Sequence, residues 1–314
     1  MEKLIIATRN SPLALWQAND VARKLLEVGI KSELKAVETI GDKKQDVMFS
    51  KIGDKGVFTL ELEQMLLNGE SHLAVHSAKD MPSNLPKGLE IIAFTQRENP
   101  IDVLVSSKSG LQLEDKKLKI GTASTRRIAT LKRYFPEMET IAVRGNLQTR
   151  IRKMQEGQCD ALILAYAGIY RMGFAEMIQQ KLDIKIFTPA VGQGSLAIEI
   201  SENLLPAIKY RLQTCLQHNE TALALNAERA FLRKMDGGCS IPVFGYASFK
   251  NGTLSISGGI ISLDGKEEVR KSLSIETTEA NIDSAVSLGN NLAIEVLNAG
   301  GDSILSKIKQ NLQH

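Results

Sequence analysis

Cysteine is scarce in this 314-residue chain. Cys159, Cys215 and Cys239 are odd in number and far apart, which argues against a disulfide framework. Histidine is scarce too, and His72, His76, His218 and His314 make no metal-ligand spacing with the thiols. His72 and His76 can share a strand face, where a structural role is the simpler reading. Aromatic residues make up only 5%, too few for the stacking platforms that hold single-stranded nucleic acid. No apolar stretch approaches membrane-spanning length. Residues 1–7 run straight into a short apolar segment interrupted by Thr8 and Arg9, without the long core and cleavage site of a signal peptide. A net charge of +3 is a mild bias, short of a nucleic-acid-binding excess. The expectation is a soluble, cytoplasmic, metal-free protein with no membrane or nucleic-acid partner.

What is present is ordinary in bulk and distinctive in placement. At 43% hydrophobic and 24% charged, the chain can bury two or three separate cores. Residues 3–7 read as a buried strand, Thr8-Arg9-Asn10 as its turn, and Ser11-Pro12 as the N-cap and first position of a helix to about residue 28. Arg9 thereby lies at a strand's carboxyl end beside a helix N-terminus, where open α/β sheets place ligands. A solvated surface arginine is the competing reading. A second strand near 34–37 precedes residues 41–58, which are charged, glycine-punctuated and without periodicity. Lys43, Lys44, Lys51 and Lys55 make that stretch either an anion-covering lid or a solvated loop. The strand at 73–76 leads into Ser77-Ala78-Lys79-Asp80-Met81-Pro82, so Asp80 falls at the same sheet edge as Arg9. An acid there can accept hydrogen bonds from a substrate N–H or balance a developing cation. A turn-capping Asp is the alternative.

From residue 98 a fresh α/β series begins. A strand at 119–120 opens into Gly121-Thr122-Ala123-Ser124-Thr125-Arg126-Arg127 and a helix to about 134. Small residues, hydroxyls and two guanidinium groups at a helix N-terminus suit an anion. The pattern recurs: a strand at 141–143 before Arg144-Gly145-Asn146 and a helix bearing Arg150, then a strand at 161–165 before Arg171. Arginines delivered in phase with the βα repeat, to one edge of what should be a parallel sheet, point to a polyanion site. Pro189-Ala190-Val191-Gly192-Gln193-Gly194 reads as a return linker, and 196–200 as a strand rejoining the first sheet. A helix over 220–235 then precedes Gly237-Gly238-Cys239-Ser240-Ile241-Pro242. Two glycines and a proline constrain a loop that presents its thiol, which suits covalent attachment; a turn with a small apolar Cys is the bland reading. Strands near 243–249, 253–261 and 268–275 and a helix over 282–297 complete a small α+β unit.

Taken in order, Ala7-Thr8-Arg9-Asn10-Ser11-Pro12-Leu13-Ala14, Ala74-Val75-His76-Ser77-Ala78-Lys79-Asp80-Met81-Pro82, the Gly121 segment, Arg144-Gly145-Asn146, the Pro189 segment and the Gly-Gly-Cys loop closely resemble the porphobilinogen deaminase (hydroxymethylbilane synthase) family over essentially the whole chain. The resemblance implies two periplasmic-binding-protein-like doubly wound α/β domains plus a small α+β C-terminal domain. Domain 1 would comprise 1–97 and 195–216, domain 2 98–194, and domain 3 217–314. It implies a transferase that joins four porphobilinogen molecules head to tail, releasing ammonia, into hydroxymethylbilane. A dipyrromethane cofactor would be held through a thioether to Cys239, and Asp80 would be the catalytic aspartate. Lys79, Ser77, Thr122, Ser124, Arg126, Arg127, Arg144 and Gly145 match cofactor-binding positions. Arg9, Ser11, Arg150, Arg171 and Lys55 match substrate-binding positions. Thr125 and Ile5 depart from relatives without touching this chemistry. A monomer is expected, since no apolar stripe is left over. The rival readings are an intracellular small-anion binding protein of periplasmic-receptor type and, more remotely, a nucleic-acid-binding module.

Overall fold

The computed structural model describes residues 3–39, 41, 58–115, 117–238, 240–276 and 281–313. β1 (Leu4–Arg9) lies parallel between β2 (Ser32–Val37) and β3 (Leu73–Ser77). Beyond β3 comes β10 (Leu196–Ser201), antiparallel both to β3 and to the edge strand β4 (Leu89–Phe94), giving the order β2-β1-β3-β10-β4. The second sheet repeats the plan. β6 (Lys119–Gly121), β7 (Glu139–Ile141) and β8 (Ala161–Ala165) are parallel, and β5 (Asp102–Val105) runs antiparallel between β8 and β9 (Ile178–Lys181).

The expectation of parallel sheets therefore holds for the direction of four of the five strands in each sheet. The antiparallel strand in each has a topological cause. The chain leaves the first sheet directly into β5 and returns directly into β10. No helical crossover intervenes to bring either strand in from the parallel side. Strands covered on both faces read as unbroken apolar runs, and all four residues of β5 are buried, its leading aspartate included.

Local chemistry sets the helix that follows β1. The Ser11 side chain accepts from Ala14 N, Pro12 occupies the first turn, and the helix Pro12–Glu27 buries Ala14, Gln17, Ala18, Val21 and Leu25 along one stripe. Ser124 and Asn146 cap the helices Thr125–Tyr134 and Leu147–Gln155 in the same way. The third unit is an antiparallel meander, β11 (Val243–Lys250), β12 (Thr253–Ile261) and β13 (Glu268–Glu276), covered by the helices Asn219–Lys234 and Ile282–Val296. Among the described residues, elements additional to those expected include β9, the 3-10 turn Ala175–Met177, the helix Pro206–Leu216, and a last helix Asp302–Gln313 beyond a kink at Gly300. Among the described residues, no helix is long and apolar enough to cross a membrane.

Candidate active site

Because β1 and β3 are parallel neighbours, Arg9 and the short 3-10 turn Ala78–Asp80 emerge at one sheet edge. Arg9, Ser77 and Asp80 line one small cavity there, with Gln17, Phe58 and His76. The Arg9 guanidinium sits over the Phe58 ring, 4.2 Å from its centroid. Gln17 reaches up from the buried face of its helix and donates to Ser77 Oγ at 2.9 Å. Asp80 is exposed to this cavity. Ser11 is occupied as a helix cap.

Across from this edge, the second sheet presents a buried ionic knot. Asp102, wholly buried at the head of β5, takes Arg126 Nη2 at 2.8 Å and Arg127 Nη2 at 2.8 Å on its two oxygens. Arg127 Nε adds a third bond at 3.1 Å and Gln193 Nε2 a fourth at 2.8 Å. Both guanidinium groups also donate to carbonyls, Arg126 to Thr188 and Arg127 to Ile163. Burial alone would push the Asp102 carboxyl up; the two arginines, with the Arg127 and Gln193 hydrogen bonds, outweigh it and hold the group well below the usual carboxylate range. Burial pushes Arg126 down in turn, against the pull of Asp102. Two cations share one anion, so the knot stays positive.

Gln193 links the two edges: its Oε1 lies 3.5 Å from Lys79 Nζ. Lys79 reaches solvent in the cleft yet is surrounded by protein. That desolvation, reinforced by Arg127 and Arg126 and opposed by Asp80 and Asp102, lowers its ammonium to about 8. Arg150 is lowered to about 10, first by burial and then by Arg127, while Asp80 pulls it the other way. Its Nε donates to Gly145 O at 2.7 Å. Arg144, half-buried on the same loop, has no side-chain partner among the described residues. Thr122 Oγ1 accepts from Ser124 N, and Ser124 Oγ from Arg127 N, so these hydroxyls shape the turn that carries the arginines. Arg171 stands apart from the knot: it donates to Gly194 O at 2.8 Å and lies over Trp16, between the first two sheets. Among the described residues, no cluster of His, Cys, Asp and Glu is arranged to hold a metal ion.

The two crossing segments are fixed by glycine. Gly192 has φ +78, and a Cβ there would lie 2.8 Å from the Ala78 carbonyl carbon. Gly194 has φ +99, and its Cβ would lie 2.5 Å from Glu98 O. Past the helix Asn219–Lys234, Asp236 takes a positive φ of 47 and Ile241 N donates to Gly238 O at 3.1 Å. Cys239, Lys55 and nearly all of the 41–58 stretch lie outside the described residues. The other two thiols are placed: Cys159 is buried and Cys215 half-buried, and burial pushes both up in pKa. Both shifts disfavour the reactive thiolate.

Sequence reasoning passed over Asp102, Gln193, Gln17, Arg97 and Glu228. Two carried a readable signal. A charged residue heading an apolar strand, and one shortly after Ala222-Leu223-Ala224-Leu225 on a helix with a buried face, must each find a buried cation.

Comparison with known proteins gives one consistent family. The family described as "Porphobilinogen deaminase, dipyromethane cofactor binding domain" matches residues 4–206, and "Porphobilinogen deaminase, C-terminal domain" matches 222–298. The porphobilinogen deaminase of Desulfosudis oleivorans is 46% identical over 97% of this chain and 97% of its own length. That of Cytophaga hutchinsonii is 46% identical over 98% and 97%, and that of Syntrophomonas wolfei 46% over 99% and 100%. Among solved structures, the second substrate binding domain of a putative amino acid ABC transporter from Streptococcus pneumoniae aligns at a TM-score of 0.43 and 15% identity, covering 72% of this chain and 96% of that one. A likeness of that size decides nothing about function.

Proposed function

We propose residue roles for a chain that belongs to the porphobilinogen deaminase family. The activity is that of a transferase: four porphobilinogen molecules are deaminated and joined head to tail into hydroxymethylbilane, in tetrapyrrole biosynthesis. The rival small-anion receptor reading is not favoured. The cofactor is dipyrromethane. Its acetate and propionate groups need N–H donors, and this cleft fits them. Cations outnumber carboxylates at the two facing edges, Arg126 Nε is buried without a hydrogen-bond partner, and the Arg144 guanidinium has none among the described residues. Desolvation lowers the Lys79 ammonium, and a bound carboxylate would offset that cost. When bound, dipyrromethane supplies the two-ring primer on which the product chain is assembled.

In this reading Arg144, Lys79 and the positive knot of Arg126 and Arg127 hold cofactor carboxylates, with Ser77, Thr122, Ser124 and Gly145 shaping and lining that site. Arg9, Arg150, Arg171, Ser11 and Lys55 serve the incoming unit and the growing chain. Cys239 is the attachment point. Asp80 accepts the pyrrole N–H of porphobilinogen, and its carboxylate stabilises the cation left on that ring as ammonia departs, which lowers the barrier. One observation supports this most: Asp80 and Arg9 share one cavity, and among the described residues Asp80 is the only carboxylate in its wall. Asp80→Asn removes charge and keeps size; Asp80→Glu keeps charge and moves it by a methylene. Hydroxymethylbilane formation by folded, cofactor-loaded protein should be nearly abolished in the first and small but measurable in the second. An Asn variant equal to wild type would make Asp80 a turn residue.

Domain limits at 97/98, 194/195 and 216/217 follow the two crossings and the start of the third unit. A cytoplasmic monomer completes the reading. Light scattering of purified protein would test the oligomeric part.

A further inference from the structure

Adjacent residues on the helix Asn219–Lys234 reach in two directions. Glu228 is fully buried; it takes Gly192 N at 2.7 Å on one oxygen and Ala247 N at 2.7 Å on the other, and pairs with Arg97 at 2.5 Å. Gly192 in turn backs onto the Ala78 carbonyl and Lys79 N with no room for a Cβ. Arg229, only 6% exposed, points to the other end of the same loop, and its Nη2 donates to Pro82 O at 2.9 Å and Ser83 O at 3.4 Å.

No carboxylate among the described residues pairs with Arg229 at salt-bridge distance; Glu199 acts on it only at longer range, and Arg233 opposes. A buried guanidinium without an ion-pair partner carries a desolvation cost. What it secures here is two carbonyls immediately after Lys79 and Asp80. That side of the loop has little else. Pro82 offers no N–H, and the Met81 amide makes only a long 3.4 Å bond to Ala78 O. The opposite side is pinned by Ala78 N to Ser195 O at 2.9 Å. The helix holding the clamp runs on into the Gly237–Gly238 turn, so one rigid element mounts both.

We propose that Arg229 is a positioning residue for the reaction: its guanidinium fixes the Ala78–Ser83 loop and so sets where the Asp80 carboxylate meets substrate. This rests on the reading of Asp80 as the catalytic carboxylate. The same loop carries Lys79, but the Cys239 thioether would retain the cofactor once formed, so loss of the clamp should lower turnover of enzyme that is still loaded.

The test uses holoenzyme with Arg229→Met, which keeps the stem, and Arg229→Lys, which keeps the charge but not the fork. Intact mass should show both fully loaded. In Arg229→Met, kcat should fall about 10²-fold with KM within about twofold, as for a misplaced reacting group, and Arg229→Lys should recover roughly a tenth of wild-type kcat. Amide exchange at Ala78 and Met81 should quicken in both. In an Asp80→Asn background, Arg229→Met should cost almost nothing further, because the group it positions is already disabled. Wild-type kcat in loaded Arg229→Met, losses that multiply in the double variant, or unchanged exchange would each overturn the proposal. Should Arg229→Met not fold, Arg229→Lys decides alone, and wild-type kcat with wild-type exchange in it overturns the proposal. Full activity of Asp80→Asn by itself would instead remove the reading of Asp80, while the exchange data would still report whether Arg229 holds the loop.

Discussion

Replacing Asp102 by Asn should do more damage than its place on a strand would suggest. The side chain is isosteric, so packing hardly changes, but the carboxylate that two buried guanidinium groups share is gone. Removing one partner of a buried ion pair leaves uncompensated charge and costs about 3–5 kcal/mol. A Coulomb term at about 4 Å and an effective dielectric near 20 has the same size, about 4 kcal/mol. Against a total stability of about 5–15 kcal/mol, the loss is large. With a denaturant slope near 3 kcal/mol per molar, the urea midpoint of the second α/β unit should drop by about 1–1.7 M. Amide exchange along β5 and β8 isolates that unit from the other two, which need not unfold with it. Lys79 should titrate still lower, since Asp102 is one of the charges holding it up. A midpoint within about 0.2 M of wild type, with unchanged exchange in β5, would refute the idea that this carboxylate neutralises the arginine pair.

Lys79 sets a pH dependence whose sign can be worked out. Its ammonium is lowered to about 8 from an ordinary 10.5, so in the window between them the unfolded chain binds more protons than the folded one. This group's contribution to stability should therefore rise with pH through that window, while assembly of the anionic cofactor weakens as the charge is lost. Lys79→Arg should extend cofactor loading to higher pH; a loading profile identical to wild type would contradict this. Arg144→Leu should leave the melting temperature nearly unchanged, since no partner among the described residues is lost. The affinity of the apo chain for the primer before attachment should fall roughly ten- to hundredfold, the equivalent of one charge-assisted contact of about 1.5–3 kcal/mol. Arg171→Leu should lower both, because that guanidinium also holds Gly194 O. Gly192→Ala should cost at least about 1–2 kcal/mol from its positive φ alone and displace the loop bearing Asp80, read as a joint fall in melting temperature and turnover.

How much of this could be read from the sequence depended on whether the signal was local. Strand ends and caps were legible because Ser11-Pro12, Ser124 and Asn146 act within one turn of themselves, so the edges carrying Arg9, Asp80 and the second-sheet arginines could be placed. Partners separated by long stretches of chain were not. The sequence shows Arg126 and Arg127 as free anion binders, whereas the fold spends much of their donor capacity on Asp102, more than twenty positions earlier. Glu228 and Arg97 join across a still longer interval, through a contact that exists only once the third unit docks. The last helix escaped because Gly300 and Gly301 look like an ending, while Gly300 merely takes a positive φ and lets the chain go on. The lid reading of 41–58 falls on residues outside those described.

Intact mass of the purified protein, denatured and reduced, tests the central claim most directly. Burial disfavours the thiolates of Cys159 and Cys215, in keeping with the proposal that Cys239 carries the covalent primer. The chain should be heavier than its sequence by two linked pyrrole units, with the added mass on the peptide containing Cys239 and absent from Cys239→Ala, which should also be inactive. The same adduct found on Cys159 or Cys215, or a bare chain that makes hydroxymethylbilane at full rate, would contradict it.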